Sequence, residues 1–194
     1  MNNEGILTLA DFCEKRNLAP ASARVQLSRM VKRGTLFRVR RNFYLTPQAL
    51  NQVTEEGLFH LSNLIQTPSY ISLLTALTYH GWSTQLGASL VEAMNPIRSK
   101  QYSVQEVTFH YHYCRPEFYF GYIKKEGFFI ATPEKALLDV LYLTSLGRYA
   151  MDFTALEREK IDWPRLKACL KKYPLSVWKR LEKWREKIEN TPAS

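Results

Sequence analysis

LTLADFCEKRNLAPASARVQLSRMVKRGTLFRVRRNFYLTP (residues 7–47) is the stretch whose reading decides the fold. Thr8, with Asp11 three residues on, has the spacing of a capping box, in which side chains and backbone exchange hydrogen bonds at a helix start. Leu9, Phe12 and Cys13 supply the apolar stripe of that helix, which ends near Asn17. Pro20 suits the first turn of a second helix, and Gly34 is its stop signal. On a wheel of about 100° per residue, Ala23, Leu27, Met30 and Val31 cluster on one side. Ser22, Val25, Ser28, Arg29, Lys32 and Arg33 occupy the opposite arc, and Arg24 brings the cations on the polar arc to four. A solvated face normally mixes both signs of charge, yet no acidic residue occurs from Pro20 to Arg33.

Beyond Gly34, Leu36–Val39 and Phe43–Leu45 are two short β-prone runs joined by Arg40, Arg41 and Asn42. Asn42 tolerates the left-handed backbone that a tight hairpin needs. Adjacent arginines at a loop tip repel each other, so they make sense where a polyanion arrives. A merely amphipathic basic surface helix would explain residues 20–33 alone; the adjoining hairpin tips the reading. Helix, basic helix and Arg-tipped hairpin is the layout of a winged helix-turn-helix, in which one helix enters the major groove and the wing holds flanking phosphates. On this reading Ser22, Arg24, Val25, Arg29, Lys32, Arg33, Arg38, Arg40 and Arg41 are the candidate DNA contacts. Arg29 and Ser22 lead in base reading, Val25 offers a contact to a thymine methyl, and Arg40 with Arg41 clamps phosphate or minor groove.

The charge distribution agrees. Residues 1–47 hold nine Lys/Arg against three Asp/Glu, residues 48–97 none against three, residues 98–150 seven against five, and residues 151–194 eleven against seven. The overall charge of +9 is thus densest where phosphates would be neutralised. A chain of 194 residues accommodates one large or two small domains. The expected division is a DNA-binding unit over 1–47, a connector over 48–66 that is partly helical around Glu55–Ile65, and a second domain over 67–194. Met1-Asn2-Asn3-Glu4 lacks the pattern of a signal peptide, and no apolar run is long enough to span a membrane. Cys13, Cys114 and Cys169 are scattered and odd in number, which suits reduced thiols and a cytoplasmic location.

For the second domain, a buried helix is expected over Ser69–His80 and strands over Ser89–Met94, Val104–Cys114, Phe118–Lys124 and Phe128–Ala131, with a turn at Glu126-Gly127. Helices follow from Thr132 as cap through Leu143, then over Pro164–Lys172 and Leu175–Glu189, the last with an apolar seam of Val177, Leu181, Trp184 and Ile188. The predicted class is α+β, a winged helix-turn-helix followed by a mixed α/β domain with a small antiparallel sheet and C-terminal helices. His110, His112 and Cys114 alternate as strand residues on one face would, but chance alternation explains them better than a metal, since no fourth ligand is near. The aromatic run from Phe109 to Tyr122 could stack single-stranded bases, though core packing is the commoner use. No phosphate loop, nucleophile elbow, His-Glu-x-x-His motif, acidic-x-Lys signature or Asp-x-Asp pair occurs, so no catalytic residue, cofactor or metal is nominated. The rivals are an enzyme with an unrecognised site, foremost a nuclease, and a pure protein-interaction module.

Residues 27–44 (LSRMVKRGTLFRVRRNFY), 72–81 (SLLTALTYHG) and 131–139 (ATPEKALLD) together resemble the AbiEi antitoxins of type IV toxin–antitoxin, or abortive-infection, systems, with the likeness spanning most of residues 8–189. The resemblance implies a repressor of its own operon that binds inverted repeats in double-stranded promoter DNA, with two molecules on adjacent half-sites. It also implies a C-terminal domain that counteracts a nucleotidyltransferase toxin without a stable complex; no membrane partner is expected, since no apolar run is long enough. Carried over by position, Ser22, Arg24, Arg29, Arg38, Arg40 and Arg41 fall on the family's DNA-reading helix and wing. Asn42 replaces a usual glycine, and Ala19 a usual serine cap. A further basic surface is expected from Lys124, Lys125, Lys171 and Lys172.

Overall fold

The computed structural model describes residues 5–51, 54–84 and 89–189, a mixed α+β chain with two sheets. Strand β1 (Ile6–Thr8), helix α1 (Leu9–Arg16), helix α2 (Pro20–Lys32) and strands β2 (Phe37–Arg40) and β3 (Phe43–Leu45) come first. The expected capping box forms: the Thr8 side chain accepts from the Asp11 N–H, and the Asp11 carboxylate accepts from the Thr8 N–H at 3.0 Å. Asn17 caps α1 in the left-handed region, Pro20 opens α2 after an Ala19 cap that makes no side-chain hydrogen bond, and Asn42 turns the hairpin at φ 63°. Strand β1 was not legible, because three residues carry too little pattern; it pairs antiparallel with β3, giving the order β1-β3-β2.

That small sheet has two working faces. Leu36 and Tyr44 pack with Leu9, Phe12, Ala23 and Leu27 of the two helices, with Leu7 alongside. Val39, Phe43 and Leu45 join a much larger core built from the rest of the chain, with Ile6 and Phe37 against it. The hairpin is therefore a shared wall between two apolar clusters, and β2 runs beside β6 of the second sheet.

Helix α3 (Pro47–Asn51) and helix α4 (Glu55–Ile65) follow. The expected helix over Glu55–Ile65 is α4, and its Phe59, Leu61 and Ile65 are buried in the large core, so this part of the expected connector packs as a core element. Next come β4 (Tyr70–Ile71), α5 (Leu73–Tyr79), β5 (Leu90–Asn95), β6 (Lys100–Val104), β7 (Val107–Tyr113), β8 (Tyr122–Lys125) and β9 (Phe128–Ala131). They form a six-stranded sheet of order β6-β7-β5-β4-β9-β8. It is mixed rather than antiparallel as expected, because β5 pairs parallel with β7 and β4 parallel with β9. The expected helix over Ser69–His80 begins with β4 and is helical only from Leu73; the expected strand over Val104–Cys114 is β7 alone, with β6 ahead of it; and the strand expected from Phe118 starts at Tyr122, after a 3-10 turn over Pro116–Phe118. Glu126 and Gly127 do form the β8–β9 turn, with Gly127 at φ 89°.

Register puts Tyr70, Met94 and His112 on one face of this sheet and Ile71, Ala93 and Tyr111 on the other. The Tyr111 hydroxyl donates to the Ser62 carbonyl of α4 at 2.8 Å. The Tyr70 hydroxyl donates to Asp139 of α6 (Pro133–Ser145) at 3.0 Å. Helices α7 (Trp163–Leu170) and α8 (Leu175–Glu189) complete the chain against α6. Val177, Leu181 and Trp184 bury the expected seam of α8; the Ile188 side chain lies outside the described residues.

The motif at residues 131–139 has a structural job. Thr132 caps α6, and Lys135 and Asp139, four residues apart, form a buried ion pair. Asp139 also accepts from Ser72 at 2.8 Å and from Tyr173 at 3.2 Å, while Lys135 donates to the Tyr173 hydroxyl at 2.7 Å. Charges taken out of water require such partners. Gly121, at φ 73°, leaves room for the Lys135 stem, which a Cβ there would meet at 3.1 Å.

Candidate nucleic-acid interface

Burying Ala23 and Leu27 turns the opposite arc of α2 outward. Ser22, Arg24, Val25, Arg29, Lys32 and Arg33 are all exposed, and Val25 shows 52% of its surface. Arg29 and Lys32 in the last turn gain from the negative end of the helix dipole, which is a sufficient structural reason for them. Arg24 sits mid-helix and has no such reason.

Arg24, Ser28 and Val31, spaced one and two turns apart, form one wall of a cleft of about 380 Å³. Arg38, Arg41, Asn42 and Tyr44 of the hairpin form the other. The tip is fixed in place because the Asn42 carbonyl accepts from the Leu9 N–H at 3.1 Å. Among the described residues, no carboxylate lies within ion-pair distance of Arg24, Arg29, Lys32, Arg33, Arg38, Arg40 or Arg41. Three guanidinium groups from two elements thus share one concave surface without neutralisation.

Arg40 does not join them. A β-bulge between Arg38 and Arg40 sets Arg38 opposite Tyr44 and Arg40 opposite Phe43. Tyr44 faces the helices and Phe43 the large core, so the bulge sends the two arginines to opposite sides of the ribbon. The Arg40 guanidinium sits 5.3 Å from the centroid of the Phe43 ring. Burial pushes the Tyr111 phenol up, and the nearby Arg40 charge works against that shift. The tip expected to act as a pair of cations is split: Arg41 lines the cleft and Arg40 faces the second sheet. Tyr44 and Asn42, not expected at the site, line it. Cross-strand pairing with Arg38 places Tyr44 there, and a bulge leaves no mark in a four-residue strand.

Residues 1–47 match the family model described as transcriptional regulator, AbiEi antitoxin. The AbiEi match ends where the hairpin has just closed, so it covers the whole cleft. No curated protein matches the chain.

The remaining candidates disperse. His110 and His112 share a face of β7 with ring centroids 4.0 Å apart, and His112 Nε2 stands 3.6 Å from Glu92 Oε1, too far for a hydrogen bond. Cys114 follows the end of β7, where its Sγ lies 3.6 Å from the Asn95 carbonyl beside Tyr70 and Asp139, and burial pushes its thiol up to about 12. Among the described residues no three His, Cys, Asp or Glu side chains are grouped to hold a metal. His80, one bond from the Gly81 turn, pairs its Nε2 with the Ala131 carbonyl at 2.8 Å. Lys124 and Lys125 sit opposite Phe129 and Phe128, on opposite sides of the β8–β9 hairpin, while Lys172 lies 4.2 Å from the Phe120 ring. Lys124 and Lys125 therefore do not share one surface. Among the described residues no helix is long and apolar enough to cross a membrane.

Proposed function

We propose that the segment up to Pro47 is a winged helix-turn-helix that grips double-stranded DNA, with α2 in the major groove and the β2–β3 hairpin as the wing. The observation that carries this reading is the cleft where Arg24 of α2 meets Arg38 and Arg41 of the hairpin with no carboxylate of the described residues within ion-pair distance. Guanidinium groups left unpaired on a concave surface suit phosphate oxygens, which they bind in a bidentate fork. Ser22, Val25 and Arg29, with Lys32 and Arg33, lie further round the exposed arc and reach base edges and flanking phosphates.

In this reading the chain is a transcriptional repressor acting as an antitoxin. It represses its own operon from inverted repeats, two molecules to a pair of half-sites, in the cytoplasm. Its second unit, here taken to include α4, counteracts a nucleotidyltransferase toxin without forming a stable complex. The protein works by binding and not by catalysis. The AbiEi match over residues 1–47 and the motifs at residues 72–81 and 131–139 support this. The deciding experiment is an electrophoretic shift on the protein's own promoter. Wild type should retain the duplex at low salt and Arg38→Ala/Arg41→Ala should release it; equal retention of both would discard the cleft as the interface.

A further inference from the structure

A second cleft of about 350 Å³ opens far from α2 in the chain, where α4, the turn at residues 67–69 and the β8–β9 hairpin meet. Leu64 and Pro68 form one side, and Tyr119, Tyr122 and Phe129 the other. The three rings are contiguous: Tyr119 and Tyr122 lie 5.1 Å apart between centroids, and Tyr122 and Phe129 lie 5.9 Å apart, nearly perpendicular. Tyr122 is braced from behind by the buried Tyr70, stacked at 4.8 Å and 15°. Phe129 leaves 38% of its surface in solvent, whereas its neighbour Phe128 is buried. The aromatic run of the sequence thus divides. Phe109, Tyr111 and Phe118 are core, whereas Tyr119 and Tyr122 join Phe129 of β9, a residue outside that run, in an open, pre-built cluster.

The charge beside the cluster is positive. Lys124 stands directly opposite Phe129 in the β8–β9 ladder, and alternation along β8 gives it the same side as Tyr122. Among the described residues no carboxylate lines the cleft, and Glu126 sits out at the hairpin turn. The polar groups of the cleft serve one another: Asn63 accepts from the Phe129 N–H and donates to Ser69, and Thr67 donates to the Asn63 carbonyl. Few are left to read a base edge.

We propose that this cleft holds an unpaired nucleobase of a single-stranded nucleic acid, its face on the exposed Phe129 ring and its edge against Tyr119 and Tyr122, with the adjoining phosphate at Lys124. Every base has a π-face, so stacking on fixed rings with a neighbouring cation gives binding that tolerates sequence. The cleft is large enough for one base and its sugar. A duplex offers no unstacked base, so this site is separate from the α2–hairpin interface and does not rest on it.

The test uses full-length protein in an Arg38→Ala/Arg41→Ala background, which removes two cations of the other cleft, and a fluorescein-labelled oligothymidylate of about ten nucleotides, read by anisotropy. Phe129→Ala and Phe129→Leu should each weaken binding about 5- to 150-fold, the span that loss of one stacked base represents. Lys124→Ala should lower the slope of log affinity against log salt by about 0.7. Because Phe129 is partly exposed and Leu keeps apolar bulk while removing the π-face, Phe129→Leu should melt close to the parent. Unchanged binding by Phe129→Leu would overturn stacking. A short tryptophan-containing peptide that binds this cleft more tightly than the oligonucleotide would overturn the choice of ligand.

Discussion

Arg40 and Arg41 are adjacent, identical in chemistry and both exposed, yet the bulge makes them opposite in expected effect. The perturbations are Arg38→Ala, Arg41→Ala and Arg40→Ala, singly. If Arg24, Arg38 and Arg41 each neutralise one phosphate, they contribute a salt slope of about −2.7, which is a loss of roughly 40-fold in affinity between 50 and 200 mM salt. Removing Arg38 or Arg41 should each reduce the slope by about 1 and weaken binding across all sequences alike. The double variant should keep about a 4-fold salt response from that set. Arg40→Ala should leave the slope within about 0.2 of wild type, and its only cost should be the exposed contact with Phe43, about 0.5–1 kcal/mol of stability. Fluorescence anisotropy on a promoter duplex over a salt series measures all of this. An Arg40→Ala slope that falls as far as that of Arg41→Ala would refute the division made by the bulge, as would an unchanged slope for Arg41→Ala.

Other outcomes follow from the packing. Asp139→Asn leaves the buried Lys135 without its counter-charge and should cost about 3–5 kcal/mol in urea unfolding; a loss under 1 kcal/mol would deny the network its role. Ala19→Ser supplies the missing cap of α2 and should add about 0.5–1 kcal/mol, read as a raised Tm. Burial holds both His80 and His110 below the usual histidine range, so below about pH 6.5 the unfolded chain binds more protons than the native one. Stability should be full at pH 7.5 and fall as pH drops through 6.5, by well under about 1.4 kcal/mol per pH unit per histidine, because both rings are partly exposed. His110→Gln should flatten this fall, and an identical pH profile for the variant would contradict it.

The capping box of α1, the Pro20 start, the Asn42 turn, the Glu126-Gly127 hairpin and the helix over Leu175–Glu189 were all legible, because each depends on residues within a few positions of one another. The exposed cationic arc of α2 was legible for the same reason: helical periodicity fixes which side is buried. What stayed hidden is non-local. Strands β1 and β4 have three and two residues, and their strand character comes from partners elsewhere in the chain. Parallel pairing of β5 with β7 cannot be read from either strand alone, since both pairing modes accept the same apolar runs. The fate of Arg40 depended on a one-residue bulge.

Local sequence therefore determined an exposed, uncompensated basic helix followed by an arginine-bearing hairpin, since periodicity and turn chemistry act over a few residues. Tertiary structure alone decided that the hairpin serves two cores at once. Packing Tyr44 against the helices and Phe43 against the second core fixes both faces of the ribbon, and that is why Arg38 and Arg41 meet Arg24 while Arg40 does not.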